Sequence, residues 1–368
     1  LKTHSELVDN AGSGFPPTPL HQAGMKKKPT IKQLIEMTQL SRATIDRVLN
    51  QRGSVHPRSV QAVQQALRLL DADVASPAGS APPPLSPGRT LHFKLLAQAG
   101  DAFTQSLVDK AAALAPALAQ ADVTLEVISC VGAGDDEVAE TVRQCRSQAD
   151  GLAVICTNAP VIVTELRQCM AQGQAVVTMV TDVDADARHG FVGMNNRAAG
   201  QAAGFLIGRH LQKLPTAKVA VVVATFAYTC HEDREIGFRS LIRHHFPHID
   251  VLEVINGGDA GADMQAAMNR FLERHPDLDG IYNVSGGVDG LAAALVAHGL
   301  AGSTVSVIHE INPVTEPLLR AGAVDYALAQ DLDALLNTTA QRLKSACLQQ
   351  PAPTFSYLPI QTYSRYSL

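Results

Sequence analysis

The sequence has no tryptophan, and aromatic residues make up only 4% of its 368 positions. Ala, Val and Leu must therefore fill whatever core it builds. Long apolar runs are also missing. The longest, Val219 to Cys230, falls short of the ~20 residues a membrane-spanning helix needs, so no membrane partner is expected. Cysteine is sparse and scattered. Cys130, Cys145, Cys156, Cys169, Cys230 and Cys347 form no C-x-x-C pair, which excludes a thioredoxin motif and the common zinc spacing. No metal or cofactor is expected. Residues 1–24 carry His4, Glu6, Asp9, Pro16, Pro17 and Pro19 but no apolar segment of the kind a secretion signal needs. They read as a disordered leader, with Met25 as the natural start and a cytoplasmic location. What is present, 46% hydrophobic and 18% charged residues, fits an ordinary folded chain of two to three domains.

The net charge of −5 hides an asymmetry. Between Lys26 and Arg68, nine cations face only Glu36 and Asp46, a balance of +7, which leaves −12 for the rest of the chain. A small basic module on a large acidic body suits a head that binds a polyanion and a body that avoids one. The local pattern is helical. Thr30 can cap a first helix with Ile31, Leu34 and Ile35 on one face, and Ser41 a second with Ile45, Val48 and Leu49. Gly53 ends the second helix, and Pro57 begins a third whose stripe is Val60, Val63, Leu67 and Leu70. Two helices joined by a tight turn, with a third behind, is the helix-turn-helix plan.

The run Leu40-Ser41-Arg42-Ala43-Thr44-Ile45-Asp46-Arg47-Val48-Leu49-Asn50, preceded by Thr30-Ile31-Lys32-Gln33-Leu34-Ile35, resembles the headpiece of the lactose/galactose repressor (LacI/GalR) family. The resemblance implies that Arg42 and Ala43 read bases in the major groove and that Arg47 also contacts the site. It implies that Thr30, Ser41, Thr44 and Asn50 hold backbone phosphates. Asp46 departs from the family's usual Ser, and Glu36 from a common Ala. Relatives continue into a hinge helix, whereas this chain has Pro82-Pro83-Pro84 within a linker over 72–89, which opposes a helix there. The expected domains are thus a leader (1–24), a DNA-binding headpiece (25–71), the linker (72–89) and a sensing body (90–368).

From residue 90 onward strand and helix alternate. Strands are expected at Leu91–Ala97, Val123–Ser129, Gly151–Cys156, Ala175–Thr181, Val219–Val223, Val251–Ile255, Gly280–Asn283 and Val305–His309. Helices are expected between them, among them Phe103–Gln120, Pro160–Gln172 and Glu232–His245. Continuous β-branched runs such as Val221-Val222-Val223 indicate parallel strands covered on both faces. Repeated βαβ units in a body this long imply two doubly wound α/β subdomains with a ligand between them, at strand C-terminal ends.

The fold alone assigns no function, and no dinucleotide fingerprint, P-loop or G-x-S-x-G elbow is present. The body resembles the type 1 periplasmic sugar-binding proteins that this repressor family carries behind its headpiece. That resemblance assigns Arg234 to sugar hydroxyls, Glu310 to the ligand-binding acid, Gln330 to the residue closing over the sugar and Phe103 to the ring-packing aromatic. Asp182 takes the place of an Asp-Arg pair without its Arg. Gly286 stands in place of an Asn, with Asn283 and Asp289 close by. Carboxylate, amide and guanidinium groups make paired hydrogen bonds to vicinal hydroxyls, so a neutral sugar or polyol is the expected effector. The resemblance further implies a homodimer on palindromic operator DNA, acting as a repressor. A solute-binding protein without a DNA role is the alternative. An enzyme built on Cys230-His231-Glu232 or His309-Glu310 is disfavoured, since sequence neighbours seldom converge as nucleophile and base.

Overall fold

A computed structural model describes residues 30–38, 40–50, 63, 66, 67 and 89–368. The leader 1–24, Gly53, Pro57 and the linker up to residue 88 lie outside the described residues. The chain divides between Gly79 and Ser80 into two units.

In the first unit, α1 (Ile31–Thr38) and α2 (Arg42–Leu49) begin at reciprocal and single caps respectively. Thr30 N–H donates to Gln33 Oε1 at 2.9 Å while Gln33 N–H donates to Thr30 Oγ1 at 3.3 Å, the capping-box exchange that satisfies two orphan donors. Ser41 Oγ accepts from Thr44 N–H at 3.1 Å. Asn50 closes α2 by donating Nδ2 to the Asp46 carbonyl and carboxylate at 3.0 and 2.8 Å. Leu34, Ile45, Val63 and Ala66 form a small buried core. Val63, Ala66 and Leu67 are helical and are the described part of the expected third helix.

The second unit holds two six-stranded sheets of matching topology. The first contains β1 (Leu91–Ala97), β2 (Val123–Ser129), β3 (Gly151–Ile155), β4 (Ala175–Met179), β5 (Gly190–Met194) and β11 (Phe355–Leu358), in the order β11-β5-β4-β3-β1-β2. The second contains β6 (Ala217–Val223), β7 (Ile249–Asn256), β8 (Gly280–Asn283), β9 (Val305–His309), β10 (Tyr326–Ala329) and β12 (Gln361–Ser364), in the order β12-β10-β9-β8-β6-β7. All pairings are parallel except β10 with β12. Strands β3, β4 and β9 are buried at every position, as parallel strands covered on both faces must be.

Helices α3 (Asp101–Gln120), α4 (Asp135–Cys145) and α5 (Pro160–Ala171) cover the first sheet, and α7 (Thr229–His245), α8 (Gly261–Arg274), α9 (Val288–Ala297) and α10 (Thr315–Ala321) the second. The two remaining helices change sides. After β5, α6 (Asn196–Leu211) packs Ala199, Ala203 and Ile207 into the second sheet's core, and after β10, α11 (Leu332–Cys347) returns Leu335, Leu336 and Leu343 to the first. A third crossing joins β11 to β12. The cleft between the halves is therefore hinged on chain segments that each half shares.

The expected strands appear within a few residues of their sequence positions, and four coincide at both ends. Strands β5, β10, β11 and β12 and helices α6, α10 and α11 have no counterpart in the sequence reading; in β5 and α6 glycine obscures the pattern. Helix α6 carries Gly200, Gly204 and Gly208 along one face. A Cβ on Gly200 would overlap the Arg234 carbonyl oxygen, one on Gly208 the Phe246 ring, and one on Gly237 of α7 the Arg197 carbonyl oxygen. These glycines lower helix propensity but let α6 and α7 pack backbone to backbone.

Candidate functional site

The strand C-terminal ends of both sheets converge on a cavity of about 150 Å³. Its first wall is the β1–α3 turn, from Gln98 to Phe103, with Ile155, Val180 and Thr181 at the ends of β3 and β4. Its second wall is Tyr228, His231 and Arg234 at the start of α7, Ser285 and Gly286 after β8, and His309 and Glu310 at the end of β9. The two sheets repeat one strained feature here. Val180 and Glu310 follow equivalent strands, β4 and β9, and adopt left-handed φ values of +64° and +65°. A β-branched residue in that region is held by its surroundings at a cost of about 1–3 kcal/mol, a pattern that clusters at binding sites.

Arg234 is the charged centre. It is 4% exposed. Its Nε donates to Asn196 Oδ1 and its Nη1 to the Val284 carbonyl, both at 2.8 Å, while Nη2 has no partner. The close α6–α7 packing sets this arrangement, since Asn196 begins α6 and the Arg234 carbonyl faces Gly200.

Glu310 sits beside that charge. Burial pushes its carboxyl up to about 7, against the opposing pull of Arg234 and a hydrogen bond from Gln330. Gln330 is itself buried. Its Nε2 donates to Glu310 Oε1 at 3.0 Å and its Oε1 accepts from Met194 N–H at 3.1 Å. Burial and Arg234 together hold the His231 imidazole down to about 3 and His309 well below its ordinary value. Both rings are neutral at physiological pH.

The halves also touch across the cleft. Tyr228 Oη donates to the Gln98 carbonyl at 3.0 Å, Asn158 N–H to the Ala227 carbonyl at 3.1 Å, and Thr229 Oγ1 to the Asp182 carbonyl at 2.7 Å.

Of the residues expected in the ligand pocket, Phe103, Arg234 and Glu310 line the cavity. Gln330 and Asn283 stand behind the wall. Asn283 Oδ1 accepts from Ser285 N–H and Oγ, both at 3.1 Å, and Nδ2 donates to the Gly286 carbonyl at 3.0 Å, which shapes the turn that forms the wall. Asp182 and Asp289 lie off this cavity's wall. Arg188, six residues along, grips Asp182 with Nε and Nη2, both at 2.5 Å. Asp289 packs against Gly261 at the start of α8, where a helix N-terminus favours a carboxylate. Sequence reasoning did not place His231, Tyr228 or Asp259 in the site. Tyr228 was part of an apolar run, and Asp259 follows a glycine pair that reads as a turn. His231 was considered only as a catalytic group.

On the headpiece, Thr30, Ser41, Arg42, Ala43, Arg47 and Asn50 are exposed and Thr44 is partly so. Several of their polar groups already serve the helix ends: Ser41 and Thr44 bond each other at 2.9 Å, and Asn50 holds Asp46. Among the described residues no helix is long and apolar enough to cross a membrane, and no cluster of three His, Cys, Asp or Glu side chains is placed to hold a metal ion.

Residues 95–348 match the family described as periplasmic binding protein domain. A xylose/arabinose-binding protein, XylF, of Sulfolobus acidocaldarius is 27% identical over 148 residues, 38% of this chain. The match spans about a third (35%) of that relative's own length. Among solved structures, the glucose-galactose binding protein GanP of Geobacillus stearothermophilus superposes with a TM-score of 0.69 at 21% identity, covering 76% of this chain and 99% of that one. An ABC transporter solute-binding protein of Burkholderia graminis, in complex with D-arabinose, gives 0.68 at 17% identity, covering 76% and 97%. A chain from Bacteroides fragilis described as a candidate LacI transcriptional regulator gives 0.64 at 14% identity, covering 76% and 98%. At these identities the structural likeness is one of fold.

Proposed function

Because the chain belongs to the periplasmic binding protein domain family, we propose that its body binds a small neutral sugar or polyol in the cleft between the two α/β halves. One observation carries this reading: a buried arginine with a free Nη2, a carboxyl, neutral imidazoles and an aromatic meet in one cavity at strand C-terminal ends. Planar groups of this kind pair with vicinal hydroxyls, and Phe103 offers an apolar face to the ring. The sugars in the names of the relatives support the same class. The test is thermal melting of the full chain with D-xylose, D-arabinose, D-glucose, D-galactose, D-allose, D-tagatose and myo-inositol. A ligand at about 100 times its Kd adds ~2.7 kcal/mol of stability. A flat response to every compound removes the sugar reading.

A second reading adds a DNA role, as a cytoplasmic regulator acting as a homodimer on a palindromic operator. It is favoured by the capped α2, which exposes Arg42, Ala43 and Arg47 along the helix that would enter a major groove. Fluorescence anisotropy with fragments of the surrounding genomic DNA, with and without the sugar, separates the two. Sequence-specific binding that changes with sugar makes the protein a ligand-responsive regulator. Sugar binding with only non-specific, salt-sensitive DNA affinity makes it a solute-binding protein.

A further inference from the structure

The two histidines in the cavity wall are fixed by different neighbours. His231 Nδ1 lies 2.9 Å from the Thr225 carbonyl. A carbonyl only accepts, so the ring's single proton is on Nδ1 and Nε2 is left as a bare lone pair. No other group among the described residues bonds that nitrogen. His309 Nε2 lies 2.7 Å from Tyr282 Oη, while its Nδ1 has no partner. Tyr282 is fully buried, stacked on Phe238 with ring centroids 5.1 Å apart, and His309 is its hydrogen-bond partner. If His309 donated to the tyrosine oxygen, the hydroxyl hydrogen would have no acceptor and would be stranded in the core, which buried polar groups avoid. The accounting closes when Tyr282 donates to Nε2 and the His309 proton is on Nδ1.

We infer that the two rings carry their proton on the same atom but turn opposite edges to the ligand, His231 offering an acceptor and His309 a donor. Arg234 Nη2, also unpartnered in this wall, adds a second donor beside His309. The inference rests on the sugar-binding reading and sharpens it. A hydroxyl is the one group of a neutral sugar that both gives and takes a hydrogen bond. The pair therefore recognises two hydroxyls of one ligand, one giving its proton to His231 Nε2 and one receiving from His309 Nδ1 and Arg234. Both rings stay neutral around Arg234, so this recognition holds its sense across physiological pH. Tyr282 and Thr225 are positioning residues that set which edge faces the cavity.

The experiment is long-range proton–nitrogen correlation of the full chain labelled in its histidines, at pH 7, with and without saturating amounts of whichever sugars of the melting panel bind. Assignment uses His231→Gln and His309→Asn. Both rings should show the Nδ1–H tautomer without sugar. On saturation His231 Nε2 should move as an accepting nitrogen does, and His309 Nδ1 as a donating one. Affinity for the same sugar should fall about tenfold in His309→Leu and by less in His309→Asn, whose amide nitrogen overlies Nδ1 but leaves Tyr282 without its acceptor. Tyr282→Phe should release the His309 tautomer and weaken binding with little loss of melting temperature. An Nε2–H tautomer for His309, or silent ring nitrogens in a protein saturated with sugar, overturns the inference and leaves the sugar-binding reading intact. If no compound of the panel binds, that reading fails and this one with it.

Discussion

Gln330 bonds Glu310 with one end of its amide and the backbone of Met194 with the other, at 3.0 and 3.1 Å. Glu310 is on the cavity wall, and Met194 ends the strand from which the chain crosses between the halves. A buried side chain thus ties the carboxyl of the site to a hinge segment. A ligand that moved Glu310 would act on that crossover through Gln330. Differential contacts of this kind are what a conformational response to a small molecule requires.

The first prediction concerns pH. Glu310 holds its proton up to about 7 in the folded chain, against an ordinary 4.5. Between those values the folded state binds more protons than the unfolded chain, so stability falls as pH rises through the window. Glu310→Gln carries no such penalty. Relative to this variant, the wild type should lose on the order of 3 kcal/mol between pH 4.5 and 7.5. Parallel stability curves for the two proteins would show that the carboxyl titrates normally.

Asp182 tests the boundary of the site. Its partner Arg188 has a side chain only 2% exposed, set over the Phe355 ring at 4.9 Å. Asp182→Asn strands that buried charge and should cost about 3–5 kcal/mol, measured by urea unfolding. Sugar affinity below the transition should be unchanged. A selective loss of affinity with normal stability would return Asp182 to the ligand.

Gly200→Ala places a methyl group against the Arg234 carbonyl oxygen. Overpacking against backbone should destabilise the fold by about 3 kcal/mol, near the upper end for such changes, and should weaken sugar binding by displacing Arg234. Gly134→Ala is the control. Its nearest contact is 3.9 Å away and its φ is −74°, so the unfolding free energy from denaturant titration should change by under ~0.5 kcal/mol.

On the headpiece, Arg47→Ala should weaken specific DNA binding by about 1–3 kcal/mol while leaving the body's melting temperature and sugar affinity as they were. Unchanged anisotropy titrations would exclude α2 as the reading helix.

Much of the body was legible because parallel strands buried on both faces must be continuously apolar. Runs such as Gly151–Ile155 and Val219–Val223 announce themselves without reference to any neighbour. Strand β5 and helix α6 were illegible for the opposite reason. Their glycines look like helix breakers until α7 is seen lying against Gly200, Gly204 and Gly208. In the site, Arg234, Glu310 and Phe103 came from residue resemblance. Their convergence depended on α6, which had not been read.

The sequence by itself determined the alternation of elements, the basic head on an acidic body and the candidate residues at strand ends, since all of these are local properties of composition and period. Tertiary structure alone decided which polar groups were spent and which stayed free. Asp182 was consumed by Arg188, while Arg234 kept Nη2 and the two histidines kept opposite edges. Hydrogen-bond capacity is settled by partners distant in the chain, and only the fold brings those partners within reach.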